Sequence, residues 1–100
     1  MAAETQKIEW KKEADRSIAG IAYYITEKGF PETSKKYADR LYAFGESLLV
    51  FPEKYPVCRF QKLAKRMMRC AVFEQNYIFI YKTIQGKLFI YNVIHGKALK

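Results

Sequence analysis

The tripeptide Gly29-Phe30-Pro31 leaves the first fifty residues little choice of architecture. Glycine readily takes the left-handed conformation that ends a helix, and proline suits a first helical turn, where its missing N–H would have no partner anyway. Upstream, Ala14, Ile18, Ile21, Ala22 and Ile25 recur at spacings of three and four, which puts them on one helix face. Lys11, Lys12, Asp15, Arg16 and Glu27 are left on the solvent side. Downstream, Tyr37, Leu41, Phe44, Leu48 and Phe51 form a second stripe, which predicts a helix from about Pro31 to about Val50. At 1.5 Å per residue that helix is roughly 30 Å long, and Pro52 prevents its continuation. A joint this short permits only an antiparallel helical hairpin. Gly45, inside the second helix, costs about 1 kcal/mol against alanine and suggests a close backbone approach.

Beyond Pro56 the pattern changes to β. Met68 to Phe73, Tyr77 to Ile84 and Leu88 to His95 read as strands, joined by the short turns Glu74-Gln75-Asn76 and Gln85-Gly86 and therefore antiparallel neighbours. Tyr77-Ile78-Phe79-Ile80-Tyr81 lacks polar alternation, as expected of a central strand covered on both faces. A weaker strand is expected at Cys58 to Lys62, and Lys7-Ile8-Glu9-Trp10 alternates as a short strand with Ile8 and Trp10 inward. The expectation is one α+β domain spanning residues 1–100, with an N-terminal strand and an antiparallel two-helix hairpin packed on one face of a small, mainly antiparallel sheet.

Charge follows the same division. Residues 1–53 carry eight Lys/Arg against nine acids, whereas residues 54–100 carry ten against Glu74 alone, which places all of the net +8 in the β half. A sheet carrying unopposed cations suits an anionic partner. With one histidine, and two cysteines whose spacing matches no zinc motif, neither a metal site nor a cofactor is expected. Cys58 and Cys70 read as small buried hydrophobes in a reducing, cytoplasmic setting. Acids and lysines interrupt residues 4–16, so no secretory signal is expected, and no apolar stretch reaches the roughly 18 residues of a membrane span.

The order of elements, with Ile8-Glu9-Trp10, Tyr24-Ile25, Leu41, Leu48, Phe51-Pro52, Arg69, Tyr77 to Tyr81 and the ending Ile90-Tyr91-Asn92-Val93-Ile94-His95-Gly96-Lys97, resembles the RelE/ParE superfamily of toxins from type II toxin–antitoxin modules, which includes plasmid-stabilisation proteins. That resemblance implies growth arrest and neutralisation by a cognate antitoxin, an acidic protein whose segment wraps the toxin into a hetero-oligomer. It also implies one of two targets. ParE-like members inhibit DNA gyrase without catalysis, and the long hairpin favours that branch; RelE-like members cut mRNA on the ribosome. A non-catalytic basic nucleic-acid-binding domain is a further alternative, so enzymatic activity is left open.

In the RelE-like case the catalytic candidates are His95, Arg69 and Tyr91. Metal-free RNA cleavage needs proton transfer and a fixed cation at the phosphate, and an imidazole, a guanidinium and a phenol supply these. By the two-residue strand period Tyr91, Val93 and His95 share one face. The nuclease-like members often carry an aromatic after this point, where this sequence has Gly96 and Lys97. Arg59, Lys62, Lys65, Arg66, Arg69 and Lys97 are the candidates for a phosphate or an acidic partner; no acid interrupts residues 57–73. The plain alternatives are a strand-end histidine bonded to backbone, an arginine paired with Glu74 and a solvated charged face. Tyr77, Phe79 and Tyr81 read as core, and one of Tyr23 and Tyr24 as exposed to an antitoxin.

Overall fold

The computed structural model describes residues 7–99. Strand β1 (Lys7–Trp10) leads into helix α1 (Lys12–Glu27) and helix α2 (Pro31–Ser47). A 3₁₀ turn (Pro52–Lys54) and a short helix α3 (Gln61–Lys65) follow, then strands β2 (Arg69–Phe73), β3 (Tyr77–Ile84) and β4 (Lys87–His95) and a closing 3₁₀ turn (Gly96–Leu99). The four-stranded sheet has the order β1-β4-β3-β2. Its β2–β3 and β3–β4 pairs are antiparallel, and β1 lies parallel to β4 with Trp10 opposite Ile90. The expected α+β architecture is therefore present.

The hairpin forms as its joint dictates. Gly29 has φ +93°, the Phe30 N–H reaches back to the Ile25 carbonyl at 3.3 Å, and Pro31 opens α2. Ser34 is buried and donates to the Ala22 carbonyl at 2.7 Å, and Tyr42 donates to Asp15 at 2.8 Å, so both ends of the hairpin are cross-linked. Ala14 and Ile18 from α1, Leu41 from α2 and Leu48 just past its end meet Phe79, Tyr81, Leu88, Ile90 and Val93 in the main core. Each large apolar side chain buried there contributes about 1.5–3 kcal/mol. Gly45 lies directly against Trp10, and a Cβ at that position would overlap the indole. The glycine thus gives the Trp10 ring its room against α2.

Three expectations need correction. Helix α2 ends at Ser47 rather than about Val50, so Phe51 leaves the helical stripe and is 62 % exposed. The segment expected to be a weak strand at Cys58 to Lys62 instead makes one isolated bridge, Val57 to Arg69, and then turns into α3. Cys58 and Cys70 are not free hydrophobes. The bridge brings their Cα atoms to 5.0 Å and they form a disulfide, which was not readable without knowing that Pro56–Cys58 lies along the β2 edge. A closed loop of this size stabilises a fold by roughly 3 kcal/mol.

The sheet has two apolar faces. Opposite the hairpin, Cys58, Met68 and Ile80 form a second cluster flanked by Leu63, Ile78, Tyr91 and Ile94, with α3 laid over it. This is why the central strand β3 shows no polar alternation.

Candidate functional site

A β-bulge determines what the last strand presents. The β3–β4 register slips between Ile80 and Tyr81, whose partners are Asn92 and Ile90, leaving Tyr91 as the extra residue. Before the slip Leu88 and Ile90 face the hairpin; after it Val93 does. His95 follows Val93 on that side, edge-on to Tyr77 with ring centroids 5.4 Å apart. Tyr91 is displaced to the other face, among Ile78, Ile80 and Ile94. The expectation that Tyr91 shares a face with His95 is therefore overturned, because a bulge breaks the two-residue period.

On the hairpin side, His95 borders an open cleft of about 580 Å³ between α1 and the ends of β3 and β4, lined by Ser17, Gly20, Ile21, Tyr24, Tyr77, Val93, Ile94 and His95. The His95 Nδ1 accepts the Lys97 backbone N–H at 3.1 Å, which leaves Nε2 as the nitrogen available to a ligand. Ser17 is committed to Asn92 through a 2.6 Å hydrogen bond. Burial, followed by the neighbouring Tyr24, pushes the Tyr77 phenol above its ordinary pKa, so it stays a neutral donor. The lining contains neither a carboxylate nor a Lys or Arg side chain. It can hydrogen-bond and pack against a partner, but it supplies no fixed cation for a phosphate.

Arg69 does not join this cleft. It lies opposite Tyr81, four positions along β3 from the partner of His95, or roughly 13 Å of strand. Its Nη1 donates to the Tyr55 carbonyl at 2.5 Å, and the Tyr81 hydroxyl donates to the Pro52 carbonyl at 2.5 Å. Together they pin the Pro52–Tyr55 crossing to the sheet. Glu74, the carboxylate considered for Arg69, pairs instead with Arg40. The three catalytic candidates thus occupy three separate environments.

The cationic candidates are gathered better. Lys62 and Lys65 are exposed on α3, Arg59 is exposed just before it, and the Arg66 guanidinium lies 5.5 Å from the centre of the Tyr91 ring. Among the described residues none of Arg59, Lys62, Lys65, Arg66, Arg69 and Lys97 forms a salt bridge. Lys97 stands apart, past the far end of β4. Two cations that the sequence did not single out extend this face. Lys11 and Lys87 sit over the Phe89 ring at 4.9 and 5.2 Å, and Lys11 also approaches Tyr91 at 5.9 Å. They are tied to Glu9 at 3.1 and 2.8 Å, and their hydrogen bonds lower the Glu9 carboxyl below its ordinary pKa. Their meeting depends on the parallel β1–β4 pairing, a long-range fact with no local signal.

Exposed aromatics mark the hairpin as well: both Tyr23 and Tyr24 are open to solvent on α1, as is Phe30 at the joint. Among the described residues no helix is long and apolar enough to cross a membrane, and no group of His, Cys, Asp and Glu could hold a metal ion.

Residues 8–99 match the family described as the ParE toxin of the type II toxin–antitoxin system parDE. The fold is also that of a chain in the chromosomal ParDE toxin–antitoxin system from P. aeruginosa, with a TM-score of 0.77 and 10 % identity over 92 % of this chain and 97 % of that one. No curated protein matches the sequence. The chain belongs to the ParE toxin family: it is the toxin of a type II toxin–antitoxin module, with an antitoxin as its partner.

Proposed function

We propose that this toxin arrests growth by inhibiting DNA gyrase in the cytoplasm, as a binding protein rather than a nuclease. The observation that carries this reading is the dispersal of His95, Arg69 and Tyr91. The imidazole lines a cleft without a cation, the guanidinium is spent on the Tyr55 carbonyl, and the phenol lies on the opposite sheet face. RNA cleavage requires such groups to converge within hydrogen-bonding reach of one phosphate. Inhibition by binding needs only a stable surface, and this chain offers two: the aromatic cleft beside α1 and the cationic face around α3. The antitoxin, on this proposal, is acidic and covers Arg59, Lys62, Lys65 and Arg66, with Lys97 reached by a separate part of its chain.

Expression of the chain alone should halt growth and induce a DNA-damage response, and co-expression of its antitoxin should restore growth. Growth arrest without that response, accompanied by truncated transcripts, would count against gyrase as the target.

A further inference from the structure

The disulfide encloses the acid-free stretch. Between Cys58 and Cys70 lie Arg59, Lys62, Lys65, Arg66 and Arg69, and no Asp or Glu. Mutual repulsion of these charges favours an open loop, and it is opposed by the sulfur bond, by the burial of Cys58 and Met68 and by the Arg69 hydrogen bond to the Tyr55 carbonyl. Helix α3 has five residues, too few to be stable alone. The loop base is held by the Cys58 N–H on the Met68 carbonyl at 2.8 Å and the Cys70 N–H on the Pro56 carbonyl at 3.2 Å, around the single Val57–Arg69 bridge. Met68, 1 % exposed, anchors the end of the loop in the second cluster, and the partly buried Leu63 packs α3 against that cluster. The two residues differ in burial: Cys58 is 3 % exposed, whereas Cys70 is partly buried.

We propose that Cys58–Cys70 is a reversible thiol–disulfide site, and that its state decides whether the cationic loop is held against the sheet. The reagent class is a dithiol such as a CxxC oxidoreductase. One of its thiolates attacks the sulfur of Cys70, the less buried of the two cysteines, the S–S bond breaks, and Cys58 leaves as a thiolate that takes a proton. The second thiol of the reagent then attacks the mixed disulfide and releases Cys70, so two electrons pass to the protein and the reagent closes its own disulfide. With the bond open, Pro56–Cys58 separates from the β2 edge and α3 loses its place over Tyr91. The oxidised form presents a fixed cationic face to an anionic partner; the reduced form presents a mobile one, which binds more weakly because the ligand must order it. Intracellular disulfides that form and break in this way characteristically act in redox sensing.

Hydrogen–deuterium exchange on the full chain tests this, comparing protein oxidised with glutathione disulfide against protein reduced with dithiothreitol, with intact mass reporting the gain of two hydrogens. The amides of Cys58, Met68 and Cys70 should exchange on the order of tenfold to a hundredfold faster after reduction, while those of β3 and β4 stay unchanged. A Cys58→Ser/Cys70→Ser variant should match the reduced form; if it does not fold, the reduced and alkylated wild-type chain serves in its place. Equal protection of these amides in both states would overturn the proposal, as would failure of glutathione disulfide to close the bond.

Discussion

Arg69 shows how a residue that stands out for chemistry can be occupied by structure. Its guanidinium satisfies the Tyr55 carbonyl where the chain crosses from the hairpin to the sheet. Arg69→Ala should therefore lower stability by about 1.5–3 kcal/mol, the range for a hydrogen bond to a charged group, as read from urea unfolding. Unchanged stability would return the residue to the pool available for ligand binding. Gly45→Ala tests packing in the same assay. Alanine is the better helix former by about 1 kcal/mol. Its methyl would nevertheless run into a Trp10 ring already wedged against Tyr42 and Phe79. Overpacking costs about 1–3 kcal/mol, so net destabilisation is expected, and a stabilised variant would mean that the indole moves freely.

Two tyrosines set an alkaline limit. Burial above all raises the Tyr81 phenol to about 12, and burial together with the Asp15 hydrogen bond raises Tyr42 to about 12. Both are raised above the ordinary value of 10.0, so the folded state holds these protons after the unfolded chain has released them. Their contribution is complete below pH 10 and is lost as pH rises from about 10 to about 12. Denaturation midpoints should fall across that window, and Tyr81→Phe should flatten the fall. An equally steep fall in that variant would assign the loss to other groups.

At the scale of elements, what the sequence could and could not disclose separates by range. The hairpin was legible because its period and its Gly29-Phe30-Pro31 joint are local, whereas Pro52 only bounded the second helix, which ends earlier, at Ser47. The three later strands were legible for the same reason, from their apolar runs and short turns. The bulge at Tyr91 was not, because it is a property of the pairing with Ile80 and Tyr81. The disulfide and α3 were missed together, since both depend on Pro56–Cys58 lying along β2. The cationic run was visible in outline, but its separation into an α3 cluster, a structural Arg69 and a distant Lys97 was not. The α3 cluster yields its own prediction. Lys62→Glu/Lys65→Glu should weaken antitoxin binding by about tenfold or more at low salt and reduce the salt dependence, leaving the unfolding midpoint nearly unchanged. Full affinity in that variant would show that the antitoxin docks elsewhere.

For the whole molecule, the division of charge and the division of layers coincide. The neutral hairpin supplies one wall of the main core, and the unpaired cations of the second half gather around α3, while Lys11 and Lys87 beside them are tied to Glu9. The chain belongs to the ParE toxin family, and on the proposal made above the antitoxin covers the α3 part of this surface. The scattered placement of His95, Arg69 and Tyr91 favours a toxin that acts by binding. The decisive measurement is DNA supercoiling by purified gyrase with and without the purified chain, run beside a translating extract in which mRNA integrity is followed. Blocked supercoiling, retained by His95→Ala, with intact mRNA is the expected result. Normal supercoiling with mRNA cut by the wild-type chain and spared by His95→Ala would contradict it.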